Sequence, residues 1–272
     1  MPAPHGIAGE LHLSARPRVN LFGVQIDCLR MEDAVQRVLS WVHHPLGNCR
    51  YVVTPNVDHA VLLQEHEALR EAYDHADLVL PDGQPVVWAS RLLGKTLPER
   101  VAGSDLVPAL FDAADAKRPL RTFLLGAGPG VAERAAASIQ KKWDGVEIVD
   151  TYSPPFGFEK DDAEQARILA RISAAKPDLL VVGLGAPKQE VWVCEQRRNL
   201  ESAAVLCVGA TIDFLAGEKT RAPRWIQRLN LEWLYRMLSE PRRLVGRYLR
   251  DAWVFPQLVW REWRGLASRS GS

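Results

Sequence analysis

A chain of 272 residues, 47% hydrophobic and 25% charged, has the composition of a soluble globular protein, with room for one large domain or one domain plus an appendage. The net charge of +1 points to no special partner, yet residues 221–272 hold eleven Arg, no Lys and four acids, which is +7 and leaves −6 on residues 1–220. Four cysteines without CxxC spacing (Cys28, Cys49, Cys194 and Cys207) and no apolar run of eighteen speak against a zinc site, a disulfide framework and a membrane span, and fit a reducing cytoplasm.

Residues 1–18 lack the apolar centre of a signal peptide and are expected to form a flexible arm. The first strand-like run is 19-VNLFGVQID, and Ala34, Val35, Val38, Leu39 and Val42 then keep helical spacing between Met31 and His43. Six further runs follow: 51-YVVTPN, 77-DLVLPD, 122-TFLLGAG, 146-VEIVDTY, 178-DLLVVGLG and 204-AVLCVGAT. Amphipathic segments lie between several of them, at 57–76, 104–116, 131–143 and 162–175. Apolar strands alternating with helices predict an α/β domain over residues 19–219, a doubly wound, mostly parallel, Rossmann-like sheet covered on both faces. Such sheets bind ligands beyond the carboxyl ends of their strands. Thr54, Asn56, Asp82, Gly126, Gly128 and Gly185 all fall there. Residues 220–272 differ in character: a helical, basic appendage broken by Pro241 and Pro256, with five of the nine tryptophans (Trp225, Trp233, Trp253, Trp260 and Trp263).

Several local patterns carry chemistry. The loop 126-GAGPG-130 has Val131 where a dinucleotide fingerprint needs its third glycine. It reads either as a phosphate cradle at a helix N-terminus or as a tight turn. His43, His44, His59, His66 and His75 lie on helical segments and read as solvated or packed, so no catalytic His or Cys system is visible. No Asp-x-Asp motif is present, so no metal is expected, and Asp161-Asp162 reads as the start of a helix. The stretches 54-TPN-56 and 81-PDG-83 place a hydroxyl, a carboxamide and a carboxylate at two successive strand ends. Each is also an ordinary turn or cap residue. Asp82 is open to three roles there: turn former, helix cap or base, the last favoured if apolar strand ends desolvate its charge and raise its pKa. In 183-GLGAPKQE-190, Lys188 adds a cation and Gln189 a donor for a sugar or phosphate, or else the segment is a capping arrangement with Glu190. In the appendage Arg243, Arg247 and Arg250 share one helical face, with Val245, Leu249 and Ala252 on another. That pattern fits a membrane-surface helix or a packed helix with solvated arginines.

TPN, LPDG, RVAGSDL (100–106), GLGAPKQE, VGATIDFLAG (208–217), RAPRW (221–225), LEWLYRM (231–237) and EPRRL (240–244) occur in that order. By these motifs the chain, from about Val19 to Val259, resembles the WecG/TagA/CpsF family of glycosyltransferases, glycosyltransferase family 26. The resemblance implies inverting, metal-independent transfer of a sugar from a UDP-sugar to a polyprenyl-diphosphate-linked saccharide. It also implies a peripheral enzyme on the cytoplasmic face of the bacterial membrane, docked by its appendage, with no cofactor. Carried over by motif, Asp82 is the general base, Thr54 and Asn56 line its pocket, Gln189 and Arg100 belong to the same site, and Asp213 serves the nucleotide end. Arg221 and Arg224 are candidates for the diphosphate. The chain departs from the family pattern at Thr211-Ile212 and at Gln84-Pro85, where Pro85 suits a first helical turn. An N-acetylmannosamine-type donor is favoured, with glucose or another hexose for capsule or exopolysaccharide assembly as the alternative. An NAD(P)-dependent oxidoreductase is the distant rival, opposed by the missing third glycine. A nucleic-acid partner for the tail is opposed by the −6 of the remaining chain.

Overall fold

The computed structural model describes residues 17–223 except 46 and 48, then 226, 232–239 and 241–270. Its centre is a six-stranded, wholly parallel sheet in the order β4-β3-β8-β7-β5-β6. The strands are β3 (Arg50–Val53), β4 (Leu78–Val79), β5 (Leu120–Gly126), β6 (Val146–Tyr152), β7 (Leu179–Gly183) and β8 (Ala204–Cys207). Side chains alternate along each strand, and the alternation divides them between two cores. Tyr51, Val53, Phe123, Leu125, Leu180, Val182, Val205 and Cys207 face one side. Val52, Leu124, Leu179, Val181, Ala204 and Leu206 face the other. Almost all of these are fully buried, which is why the strands read as unbroken apolar runs.

Helices cover both faces, as a doubly wound fold requires. The first core receives α2 (Val57–Leu62), α3 (Glu67–Asp74), α4 (Gln84–Leu92), α7 (Asp162–Ala175) and α8 (Lys188–Gln196). The second receives α1 (Met31–His43), α5 (Gly103–Asp112), α6 (Val131–Lys142) and α9 (Thr211–Leu215). Local chemistry starts several of them. Asp161 caps α7 by accepting from the backbone N–H groups of Ala163 and Glu164 at 3.0 and 3.1 Å. Pro85 sits in the first turn of α4, where its missing N–H costs nothing.

The run at 19–27 departs from expectation. It folds as an antiparallel hairpin, β1 (Arg18–Leu21) with β2 (Val24–Asp27), outside the main sheet. The reason is local: Phe22 and Gly23 both have positive φ, 56° and 88°, the two-residue turn that reverses a strand. The hairpin guards the sheet's edge, because the buried Asp27 accepts from the Val79 backbone N–H at 2.8 Å and pairs with Arg18 at 2.8 Å. Arg18, on the arm side of the expected boundary at 19, is part of a strand; residues 1–16 lie outside the described residues.

The long C-terminal helix, Pro241–Ser270, lies against α2 and the hairpin. Leu258 is buried in the first core, Phe255 meets Phe22 with ring centroids 5.1 Å apart, and Glu262 binds Lys95 at 2.5 Å and the Phe22 backbone N–H at 2.8 Å. One face of this helix is therefore packed. Its outward stripe, Val245, Leu249, Trp253, Trp260 and Trp263, is exposed.

Candidate active site

β3 runs out to β4 at one edge, whereas β8 is reached from the other half of the sheet, and the two halves meet between β3 and β8. A crevice opens beyond the carboxyl ends at such a switch point. Here it is a cleft of about 450 Å³, roofed by Tyr248, Asp251, Ala252 and Phe255 of the C-terminal helix.

The cleft floor is built from the two motifs at the ends of β3 and β4. Their backbones stay paired past the strands: Leu80 N–H donates to Val53 O at 3.0 Å and Asp82 N–H to Pro55 O at 2.9 Å. TPN and PDG are therefore side by side. Thr54, 4% exposed, donates its hydroxyl to Cys207 O at 3.3 Å and ties the end of β3 to β8. Val101 N–H donates to Pro81 O at 2.8 Å and brings Arg100 alongside. Gly103 lets α5 start against β8's end: a Cβ there would stand 2.7 Å from a Val208 methyl carbon.

Asp82 lines the cleft with 28% of its side chain exposed. The desolvated setting expected from apolar strand ends is not what it meets; its near neighbour is a cation, Arg100 Nη1, 4.0 Å from Oδ1. Arg100 donates to Asp105 at 2.7 Å, and Arg221 donates to the other Asp105 oxygen, also at 2.7 Å. Asp105 therefore holds two guanidinium groups together beside Asp82. Asp105 lies within the RVAGSDL motif, and nothing in that motif by itself marks it as the clasp of two arginines.

A second layer lies beneath the floor. Gln189, 2% exposed, accepts from the backbone N–H groups of Gly185 and Gly209 at 3.3 and 3.2 Å and donates to Glu190 at 2.7 Å. Its carboxamide oxygen joins the ends of β7 and β8, and its NH2 is a donor, here to Glu190. His59, 7% exposed, lies between Asn56 at 2.9 Å and Glu190 at 3.3 Å. Burial works against its charged form, but the hydrogen bond and charge of Glu190, with Asp58 and Asp82, outweigh burial and hold the His59 pKa above the ordinary value. Sequence reading passed over His59 as one more helical histidine. Its spacing three residues after the N-cap Asn56 was the available signal.

At the roof, Asp58 receives Arg247 at 3.3 Å and Arg250 at 2.9 Å. Two arginines assigned to a solvent or membrane face thus bind the body of the protein, and Arg247 lines the cleft. Asp251 is 3% exposed, and burial and then the neighbouring Asp58 push its carboxyl up to about 6.

Of the expected residues, Thr54, Asn56, Asp82, Arg100, Gly185 and Gln189 line one cleft. Arg221 stands one ion pair away, through Asp105. Gly126 and Gly128 are not among the lining residues. At Gly126, with φ 116°, a Cβ would come within 2.5 Å of Gly183 O, so close strand approach explains this glycine. Lys188 binds Glu159 at 3.1 Å and Asp213 binds Lys219 at 3.4 Å, both away from the cleft lining. Arg224, Trp225 and the side chain of Arg243 lie outside the described residues.

Comparison with known proteins agrees with this architecture. Residues 19–269 match the model of the glycosyl transferase WecG/TagA/CpsF family. Two similar relatives are the proteins named N-acetylglucosaminyldiphosphoundecaprenol N-acetyl-beta-D-mannosaminyltransferase from Staphylococcus aureus strains MW2 and COL. Each is 31% identical over 230 residues, covering 85% of this chain and 87% of the relative.

Proposed function

This chain belongs to the WecG/TagA/CpsF family of glycosyl transferases, and from that premise we propose that it transfers a sugar from a UDP-sugar to a polyprenyl-diphosphate-linked saccharide with inversion. The observation that carries the reading is the Asp82 carboxylate at the switch-point cleft, beside Thr54 and Asn56 and 4.0 Å from Arg100. Asp82 takes the proton of the acceptor hydroxyl as that oxygen attacks the anomeric carbon from the face opposite UDP. The C–O bond to UDP breaks, and negative charge grows on the departing diphosphate. Arg100 and Arg221, clasped by Asp105, and Arg247 at the roof supply cations for it, so transfer needs no metal ion.

The donor sugar proposed is N-acetylmannosamine, supported by the names of the relatives at 31% identity. The acceptor carries N-acetylglucosamine on undecaprenyl diphosphate, on the same ground. No helix among the described residues is long and apolar enough to cross a membrane. The lipid-linked acceptor is then met by a peripheral enzyme on the inner face, whose exposed stripe Leu249, Trp253, Trp260 and Trp263 seats among headgroups.

The test is UDP release from UDP-N-acetylmannosamine with the lipid-linked N-acetylglucosamine acceptor. Asp82→Asn should keep its fold and lose about 10²–10⁴ in turnover, the usual contribution of a general base. Wild-type turnover by that variant would leave Asp82 a turn residue. Faster release from UDP-glucose would assign the other donor.

A further inference from the structure

The buried layer under the cleft has a hydrogen-bond polarity that the backbone sets at both ends. At one end, the N–H groups of Gly185 and Gly209 donate to the Gln189 carboxamide, so the atom they meet is its oxygen, and its nitrogen is the donor to Glu190 Oε1. At the other end, the His59 backbone N–H donates to the Asn56 carboxamide at 3.2 Å, so that atom too is an oxygen. His59 Nδ1 meets the same oxygen at 2.9 Å and must carry a hydrogen. His59 Nε2 meets Glu190 Oε1 at 3.3 Å, so the ring and the carboxyl share one hydrogen there. Gln189 and His59 therefore meet on the same Glu190 oxygen, while His59 donates outward to Asn56 through its backbone N–H and Nδ1. His59 Nδ1 thus carries a hydrogen, Nε2 shares one with Glu190, and Glu190 raises the pKa of the ring beneath the floor.

The consequence reaches the cleft through Asn56. Its oxygen is held by two donors of His59, which leaves the NH2 group as the donor that Asn56 can offer to the cleft it lines. We propose that His59 is a positioning residue: paired with Glu190, it fixes the Asn56 carboxamide so that the Asn56 NH2 donates to the sugar or diphosphate of the bound nucleotide-sugar. This rests on the glycosyl-transfer reading given above. The groups facing the His59 ring are Glu190 of α8, Asn56 and Asp58 at the start of α2, Tyr73 of α3 at 6.3 Å between ring centroids, and the charge of Asp82.

Asn56→Asp separates this role from a merely structural one. Aspartate caps a helix as well as asparagine and accepts equally well from His59, so the fold and the His59 pair should survive. The donor into the cleft is lost and a negative charge is added beside Asp82, so the loss in the double variant, not the size of the single loss, tests the shared role. The expected result is an unchanged or raised Tm with kcat/KM lowered about 10–100-fold, the effect of losing one hydrogen bond to a charged or reacting group. His59→Phe in the Asn56→Asp background should add little to that loss, because both act through the same NH2. Wild-type kcat/KM for Asn56→Asp, or fully multiplicative losses in the double variant, would overturn the proposal. The charge state is read without substrate. In ¹⁵N spectra of the resting protein at about pH 7.5, one unit above an ordinary histidine, the ring absent from the His59→Phe spectrum should show two protonated nitrogens. A neutral ring there would also overturn it. Should no UDP-sugar be turned over by the wild-type protein, the glycosyl-transfer reading fails while the ring spectrum still reports on the pair.

Discussion

Replacing Asp251 by Asn is expected to stabilise the protein at neutral and alkaline pH. Asp251 is 3% exposed, neither of its oxygens has a hydrogen-bond partner among the described residues, and Arg250 stands 3.6 Å away, shared with Asp58. Burial and then the Asp58 charge lift its carboxyl from 3.8 to about 6. Because the folded pKa lies above the unfolded one, the folded state binds this proton more tightly. The contribution of Asp251 to stability is therefore highest below pH 4, falls between pH 4 and 6, and stays lower above pH 6. A gap of about two pKa units corresponds to about 3 kcal/mol at 1.36 kcal/mol per unit, and this is an upper value. Asparagine has the shape of the protonated acid and cannot ionise, so it should recover much of that amount at pH 8 and nothing at pH 4. For a chain of this size 1 kcal/mol moves Tm by about 2–4 °C, so the variant should melt on the order of 5 °C or more above wild type at pH 8. Thermal unfolding followed by circular dichroism at pH 4 and pH 8 measures the difference. Equal Tm offsets at the two pH values would show that Asp251 ionises without cost and would refute the reasoning.

Three further outcomes are expected. Gly103→Ala should lower stability by about 1–3 kcal/mol, the usual effect of overpacking, since its Cβ would meet Val208 at 2.7 Å; an unchanged urea midpoint would show that α5 can shift away from β8. Sugar transfer should persist in excess EDTA, because Arg100, Arg221 and Arg247 are proposed to carry the diphosphate charge; loss in chelator with recovery on adding Mg²⁺ would sink that proposal. Replacing Trp253, Trp260 and Trp263 together by Ser should abolish sedimentation with anionic vesicles while leaving Tm near wild type, since all three are at least half exposed; vesicle binding that survives would remove the headgroup-seating role.

The strands and helices were legible because their causes are local. Tyr51-Val52-Val53 and Leu179-Leu180-Val181-Val182 are buried on both sides, and such runs look the same in a sequence as in a sheet. The motifs TPN and PDG could be joined in advance because consecutive parallel strands commonly lie side by side, and here they do. The hairpin at 18–27 reads as one strand in the sequence because Phe22 at positive φ is uncommon and only Gly23 advertises the turn.

What remained hidden depended on distance in the chain. Gly126 and Gly185 look alike in sequence, each a glycine just past an apolar run. The strand order β4-β3-β8-β7-β5-β6 puts β7's end next to β8 and the cleft, and β5's end one strand further out. His59 reads as an ordinary helical residue until α3 and α8 close over it, 131 positions separating it from Glu190. Arg247 and Arg250 follow a surface-helix pattern, yet Asp58, 189 and 192 positions earlier, is what they bind. Periodicity and turn chemistry act over a few residues, so the sequence alone determined the elements and the motifs at strand ends. Which of those ends converge, and which charges become buried partners, is decided by chain crossovers and packing between remote segments, and only the tertiary structure contains them.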